Sequence, residues 1–450
     1  MQYYQSINPY SGELLAQFHP IADNELQLRL ESAVNAQKSW AQCTFTERAI
    51  PVQKLILLIQ QHAETLSKMA SVEMGKPIKE ARLEVSKCIT ACEYYGSHAS
   101  EILAPQTTLD VQLVYEPMGV ILGVFPWNFP YWQIIRSAIP IVMSGNTMLI
   151  KPAPNVPQCS NLLQQLFEEA GFPEGVLQTI FATNDQVSQL IANDRIAACT
   201  LTGSEAAGSA VAAQAGRYIK KSVLELGGSD PFIITQYADL DKVMQWAITA
   251  RFQNNGQSCI AAKRFIVHEN IYKDFLSKLV PAVSALVCGD PLDEQTQIGP
   301  LARVDLKQQL HKQISESIKA GASMLYQHTA LVNSESFYAP TILGNIAKDS
   351  PAYQEELFGP VLSIFTYKEH EEAIHLANDT RFGLGGSVWS EDRALALGMA
   401  HQLQCGQVNI NSMVKSSASF PFGGYKRSGI GKELGEWGIK EFCNVKIIRG

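Results

Sequence analysis

Apolar residues along the chain switch between a period near 3.6, where a helix buries one face, and short continuous or alternating runs that suit strands. Asn8-Pro9-Tyr10-Ser11-Gly12 carries the turn residues of an N-terminal hairpin. Asp23 is positioned to cap a helix reaching Gln42, with Leu26, Leu30, Ala33, Val34 and Trp40 on its apolar face. From Thr46 to Ile102 the period is helical, with breaks expected at Pro51 and near Gly75-Lys76-Pro77. Val111 to Tyr115 alternates and reads as a strand.

The pattern then changes. Val120 to Phe125 is a continuous apolar strand of the kind covered on both faces. It runs into Pro126-Trp127-Asn128-Phe129-Pro130, a helix to Ser144, and a second buried strand, Thr147 to Ile150, ending at Lys151-Pro152. Helix Gln158–Ala170, strand Leu177–Ile180, helix Gln186–Asn193 and strand Ala197–Leu201 follow. Gly203-Ser204 opens a helix to Ala215, and Ser222–Leu226 is the next strand. Strands and helices alternating with short joins predict a parallel, doubly wound sheet. A second α/β pattern runs from Ala238 to Met413, with strands at Arg264–His268, Val361–Tyr367, Gly386–Trp389 and Gly406–Ile410. The tail Asn444–Arg449 is strand-like and stands alone, so a partner strand is expected, with another subunit as one source.

Composition narrows the class. A chain of 450 residues exceeds one hydrophobic core, so two or three domains are expected. A net charge of -7 gives no electrostatic reason to expect nucleic acid or an anionic membrane as partner. The nine cysteines are scattered without a C-x-x-C pair, which suits a reducing compartment. Cys88 and Cys92 share a helix with no ligand-like histidine, so helix packing accounts for them and no metal site is expected. Met1–Ser6 lacks the basic and apolar regions of a signal peptide, and no run of apolar residues spans a bilayer. The expectation is a soluble cytoplasmic protein.

The candidate chemistry centres on Cys259, in Asn254-Asn255-Gly256-Gln257-Ser258-Cys259, between a helix from Ala238 to Phe252 and the strand at Arg264. A cysteine at such a junction can face a cleft and act as a thiolate nucleophile, or it can be one more buried cysteine. Three other features converge with it. Asn128, after a strand end, offers an amide to a developing oxyanion. Glu225 ends a buried strand in Glu-Leu-Gly-Gly, where burial raises a carboxylate towards the range of a general base. Gly203 and Ser204 join strand to helix, so their N–H groups can meet a pyrophosphate. Singly, each has a plain structural alternative, and Gly203–Gly208 lacks the G-x-G-x-x-G pattern.

Taken in order, Pro126–Pro130, Lys151-Pro152, Thr202-Gly203-Ser204, Glu225–Gly228, Gly256–Cys259, Glu355–Pro360 and Pro421–Lys426 resemble the successive signatures of the NAD(P)-dependent aldehyde dehydrogenases, nearest to the succinate-semialdehyde dehydrogenases. The resemblance spans nearly the whole chain. It implies a Rossmann-like cofactor domain (1–106 and 118–226), a second α/β catalytic domain carrying the nucleophile (227–428), and a small β oligomerisation extension (107–117 and 440–450). By it, Cys259 would add to an aldehyde, Asn128 and the Cys259 N–H would hold the oxyanion, and Glu225 would activate water against the thioester. Lys151 would meet the adenosine ribose, and Gly203 and Ser204 the pyrophosphate. Glu356 would meet the nicotinamide ribose, with Phe358 and Leu226 at that end and Trp127 beside cofactor and substrate. Phe422 would line the aldehyde tunnel.

Two positions bear on selectivity. Many NAD-preferring relatives carry a glutamate three residues after the lysine; here Pro154 stands there, so use of NAD, NADP or both stays open. Arg136, eight residues after Asn128, matches an arginine that grips the substrate carboxylate in succinate-semialdehyde dehydrogenases, and Ser416 and Ser417 match hydroxyls of the same pocket. A structural ion pair is the alternative for Arg136. Family members with a second carboxylate-binding arginine place it where this chain has Gln253; Arg251 and Lys415 are nearby, so a looser pocket is expected. No second cysteine stands beside Cys259, so no local disulfide switch is expected. The expected reaction is oxidation of a short carboxylate-bearing aldehyde, by a homodimer or homotetramer. The alternatives are a broad-specificity or other semialdehyde dehydrogenase, an acylating enzyme using coenzyme A (against which Glu225 argues), and a non-catalytic relative.

Overall fold

Two parallel sheets carry the molecule in the computed structural model, which describes residues 3–450; the first two positions of the N-terminal stretch lie outside the described residues. The first sheet has six strands in the spatial order Gly429–Ile430, Lys221–Glu225, Ile196–Thr202, Val120–Val124, Thr147–Lys151, Leu177–Thr179. All neighbours run parallel except the short Gly429–Ile430 edge, which pairs antiparallel with Leu224 and Glu225. The chain starts in the middle, winds to one side through Thr147–Lys151, then returns across Val120–Val124 to Ile196–Thr202. That reversal is a topological switch point, where open α/β sheets form a crevice beyond the carboxyl ends of their strands.

The second sheet has seven strands in the order Ser323–Gln327, Thr341–Gly344, Val361–Tyr367, Ala262–His268, Asp230–Ile234, Gly385–Trp389, Gln407–Ile410. Only its Ser323–Gln327 edge is antiparallel. Its interior strands are buried along their length, which is why they read as apolar runs. Together the sheets give the doubly wound cofactor-type unit and the second α/β unit that the alternation predicts.

Three local expectations are corrected. The first helix is Asp23–Trp40 with Ala22 at its N-cap, and Asp23 accepts from Gln186 Nε2 at 2.7 Å instead of capping. Pro51 does not break its helix: Phe45–Gln61 runs through it, opened by a Thr44–Glu47 capping box, and the break falls at His62. The missing N–H costs one bond, and the buried Pro51 ring contributes apolar packing in exchange. The tail is not alone. Cys443–Arg449 pairs antiparallel with Val111–Pro117 of the same chain, Val445 opposite Tyr115 and Ile447 opposite Leu113, and Gln106–Thr108 completes a three-stranded sheet. The N-terminal hairpin forms as expected, Tyr4–Ile7 against Leu14–Phe18. Cys88 and Cys92 are buried in helix Ile78–Ile102.

Candidate active site

The two sheets present opposite ends to one region. From the first come carboxyl ends: Trp127 and Asn128 follow Val124, Lys151 ends its strand, Gly203 and Ser204 follow Thr202, and Glu225 and Leu226 close theirs. From the second come amino ends: Cys259 precedes the strand opening at Ala262, and Glu356 and Phe358 precede the one opening at Val361.

The loop carrying Cys259 is bent by three successive left-handed residues, Asn254 (φ 56°), Asn255 (φ 57°) and Gly256 (φ 72°). Asparagine and glycine are the residues that adopt this conformation at least cost. Side-chain amides hold the bend. Asn255 Nδ2 donates to Gly75 O and Pro300 O, both at 2.8 Å, and its Oδ1 accepts from Gly299 N at 2.7 Å. Asn254 Nδ2 donates to Asn128 O at 2.8 Å and Gln257 O at 3.0 Å. Asn128 returns the contact, its Nδ2 donating to Gln257 O at 3.1 Å, which ties the candidate oxyanion donor to the nucleophile loop.

Buried cations finish the frame. Lys263 Nζ donates to Ser258 O and Cys259 O, both at 2.7 Å, and pairs with Glu356 Oε1 at 2.8 Å. Glu356 Oε1 also accepts from Gly228 N at 3.1 Å. Arg251, fully buried, donates to the carbonyls of Val361, Gly256, Leu357 and Gly359. Arg251 therefore builds the loop and does not reach a substrate. Lys415 stacks on Trp246 with Nζ 4.2 Å from the ring centroid and does not line the cavity beside Cys259.

That cavity measures about 180 Å³, and its lining includes Cys259, Arg136, Ser416, Phe422, Trp132 and Lys87. A larger one, about 890 Å³, lies between the N-terminal hairpin, the Pro154–Asn155 turn and Arg303, and no candidate catalytic residue lines it. Burial pushes the Cys259 thiol up to about 11, with Lys263 and Arg136 pulling the other way. At neutral pH the resting sulfur is therefore a thiol.

Arg136 makes the structural ion pair that is its alternative reading, and it also stands in the cavity wall. Its Nε lies 2.6 Å from Glu433 Oε2 in a buried ion pair, and Nη2 donates to Thr202 Oγ1 at 3.2 Å. It also lines the cavity, with its guanidinium 5.2 Å from the Phe422 ring centroid. Ser137 Oγ donates to the other Glu433 oxygen. Of the two serines, Ser416 reaches the cavity, while Ser417 is exposed and bonded to Ser419 at 3.1 Å. Gln253 lines the cavity as well.

Glu225 is not at the cavity wall in this conformation. Its carboxyl is fully buried, packed over Gly423, with neither oxygen hydrogen-bonded among the described residues. Burial pushes it well above the usual carboxylate range; nearby Glu433 raises it further, and Arg136 and Lys432 oppose. No hydrogen bond holds the carboxyl there, so turning it towards Cys259 breaks none.

The residues fit a dinucleotide. Ser204 caps helix Glu205–Arg217, accepting from Ala207 N at 3.3 Å, and this helix start stands beside the switch-point crevice. Lys151 ends its strand with no carboxylate partner among the described residues, 5.7 Å above the Tyr4 ring, and burial lowers it to about 8. Trp127 and Phe358 meet edge-to-face at 5.8 Å. Leu226 packs so closely on Gly208 that a Cβ there would come within 2.5 Å of it.

A cysteine-bearing loop set against the crevice of a doubly wound sheet points to the class, and comparison with known proteins establishes it. The chain belongs to the aldehyde dehydrogenase family, whose model matches residues 1–448. It is an NAD(P)-dependent aldehyde dehydrogenase closely related to the succinate-semialdehyde dehydrogenases. It is 42% identical over 447 residues to the succinate semialdehyde dehydrogenase [NAD(P)+] of Escherichia coli K12, covering 98% of this chain and 97% of that protein. It is 44% identical over 447 residues to a probable succinate-semialdehyde dehydrogenase [NADP(+)] of Synechocystis, covering 98% of each. Among solved structures, succinic semialdehyde dehydrogenase from Streptococcus pyogenes in complex with NADP+ superposes with a TM-score of 0.97 at 36% identity, covering 99% of each chain.

Lys87 is the residue the sequence reading missed. Its Nζ donates to Ser416 Oγ at 2.6 Å and lies 4.5 Å from the Trp132 ring centroid, inside the same cavity as Cys259. The available signal was weak: Glu84 and Lys87 stand three apart on a helix, which reads as an exposed pair.

Proposed function

We propose that this enzyme oxidises succinate semialdehyde, or a short aldehyde of the same terminal charge, to the acid. The observation that carries the reading is a small cavity with Cys259 and Arg136 in its lining. Its volume suits a short substrate, and cationic side chains in its wall favour one that carries a terminal carboxylate. The E. coli, Synechocystis and S. pyogenes proteins are named for the same substrate.

Cys259 gives its proton to solvent, the one proton the overall reaction releases, and its sulfur adds to the aldehyde carbon. The oxyanion so formed accepts from the Asn128 amide, which spends only one of its two hydrogens on Gln257 O, and from the Cys259 N–H. When bound, NAD(P)+ supplies the acceptor for the hydride that leaves this carbon. Cys259 then holds the acyl group as a thioester. Glu225 turns from its buried position, ionises in the more polar cleft and takes a proton from water. The water oxygen bonds to the thioester carbon, the C–S bond breaks, and the leaving sulfur takes that proton from Glu225, releasing the acid and the Cys259 thiol. Lys263 holds the loop carbonyls away from the oxyanion and orients Glu356, whose Oε2 is left for the nicotinamide ribose. Lys151 and the Gly203–Ser204 turn hold the adenosine and pyrophosphate. Pro154 adds no carboxylate against a 2′-phosphate, which supports use of both dinucleotides.

The test is an aldehyde panel varied in length and terminal charge, assayed with NAD+ and NADP+. Succinate semialdehyde is expected to exceed butanal in kcat/KM by about 100-fold, the worth of one or two charge-assisted hydrogen bonds. Equal kcat/KM for the two would overturn the assignment.

A further inference from the structure

Two cations line the cavity beside Cys259, and their charges are balanced differently. Arg136 has its own carboxylate in Glu433. Lys87 has none among the described residues, and the nearest acids are occupied. Glu84, one turn earlier on the same helix, accepts from Tyr131 N at 2.9 Å and Trp132 N at 3.0 Å with one oxygen, and pairs with Lys76 through the other. Glu80 accepts from Asn254 N. An ammonium withdrawn from water without a counter-ion is costly, and burial accordingly lowers Lys87 to about 8. The ammonium itself sits over the Trp132 ring, 4.5 Å from its centroid, and donates to Ser416 Oγ, so it is held at one point of the cavity wall.

We propose that Lys87 is the principal anchor of the substrate carboxylate, acting with Ser416, while Arg136 is a charge-compensated wall. The inference rests on the reading that the substrate carries a carboxylate. Ser416 Oγ already accepts from the Lys87 ammonium, so its own hydrogen is free to donate to the same anion. A bound carboxylate supplies the counter-charge that the resting cavity lacks. An uncharged aldehyde leaves Lys87 unpaired, and this difference is the source of selectivity.

The experiment measures the ratio of kcat/KM for succinate semialdehyde to that for butanal in wild type, Lys87→Met and Lys87→Arg. The ratio is expected to fall by roughly 10- to 100-fold in Lys87→Met and to be largely kept in Lys87→Arg. A ratio within about threefold of wild type in a folded Lys87→Met overturns the proposal, since a merely structural lysine affects both aldehydes alike. Should the variant not fold, the wild-type pH profile decides. The groups facing Lys87 are Arg136 from the neighbouring helix, Cys259 from the nucleophile loop, and Glu84 and Cys88 from its own helix, with Glu80 also on the cavity wall. Glu80, raised by burial to about 7, has ionised by about pH 8, and effects of Cys259 are shared by both aldehydes. Above that pH Lys87, lowered to about 8, loses its proton and the ratio falls; a flat ratio from about pH 8 to about pH 9.5 overturns the proposal. A wild-type ratio near one refutes the substrate reading instead.

Discussion

The six-stranded sheet meets the active site with the carboxyl ends of its strands and the seven-stranded sheet with its amino ends, and the two solve their polar problems differently. At the carboxyl ends four strands lead on to a helix, whose first N–H groups lie at that end, while Lys221–Glu225 passes through Gly227-Gly228 into the second sheet. The turn at Gly203 needs little beyond its own backbone, with Gly203 N donating to Glu225 O at 2.9 Å. At the amino ends, long loops arrive with buried carbonyls and no helix to satisfy them. Buried cations do that work: Arg251 on four carbonyls, Lys263 on two, and Arg264 on Ser229, Leu376 and Ala377. One half of the site is a property of topology, and the other depends on individual side chains.

The comparison breaks most visibly at Arg251. Arg251→Met keeps the apolar volume but leaves four buried carbonyls without their donor, so a loss of roughly 3–5 kcal/mol is expected in urea unfolding monitored on the holoenzyme. A change below about 1 kcal/mol would show that the cation is not what holds these loops. The opposite extreme is Gly203→Ala. A Cβ there meets nothing nearer than Leu201 at 3.5 Å, and the backbone is not left-handed. Stability is expected to change by less than about 0.5 kcal/mol. A loss above about 2 kcal/mol in the same unfolding measurement would mean that this half, too, hangs on single residues.

The same division explains what could be read from the sequence. The strands of the first sheet are continuous apolar runs between turn residues, and Lys151, Gly203 and Glu225 stand at their ends by count alone. The polar run before Cys259 marks a junction between two elements but not its shape, and the chain bends there through three left-handed residues. The strand Asp230–Ile234 escaped notice because Gly227-Gly228 and Pro231 look like a turn, yet it lies central in the second sheet. Its proline forms no side-by-side ladder problem because the register shifts between Asp230 and Pro231. Lys87 was hidden for a different reason. A lysine three residues after a glutamate looks solvated, and only the fold reveals that Glu84 has turned away to Lys76 and two backbone N–H groups. The conformation of Glu225 was equally beyond reach, since its neighbours Glu433 and Lys432 come from some two hundred residues further along the chain.

The proposed reaction depends on Cys259 carrying the acyl group and on Glu225 releasing it, although Glu225 is not at the cavity wall at rest. The direct measurement is intact-protein and peptide mass spectrometry of Glu225→Gln mixed with NADP+ and succinate semialdehyde. One equivalent of NADPH should form rapidly, and the succinyl group should remain on the Cys259 peptide. Continued turnover at the wild-type rate, or an adduct on any other cysteine, would contradict it.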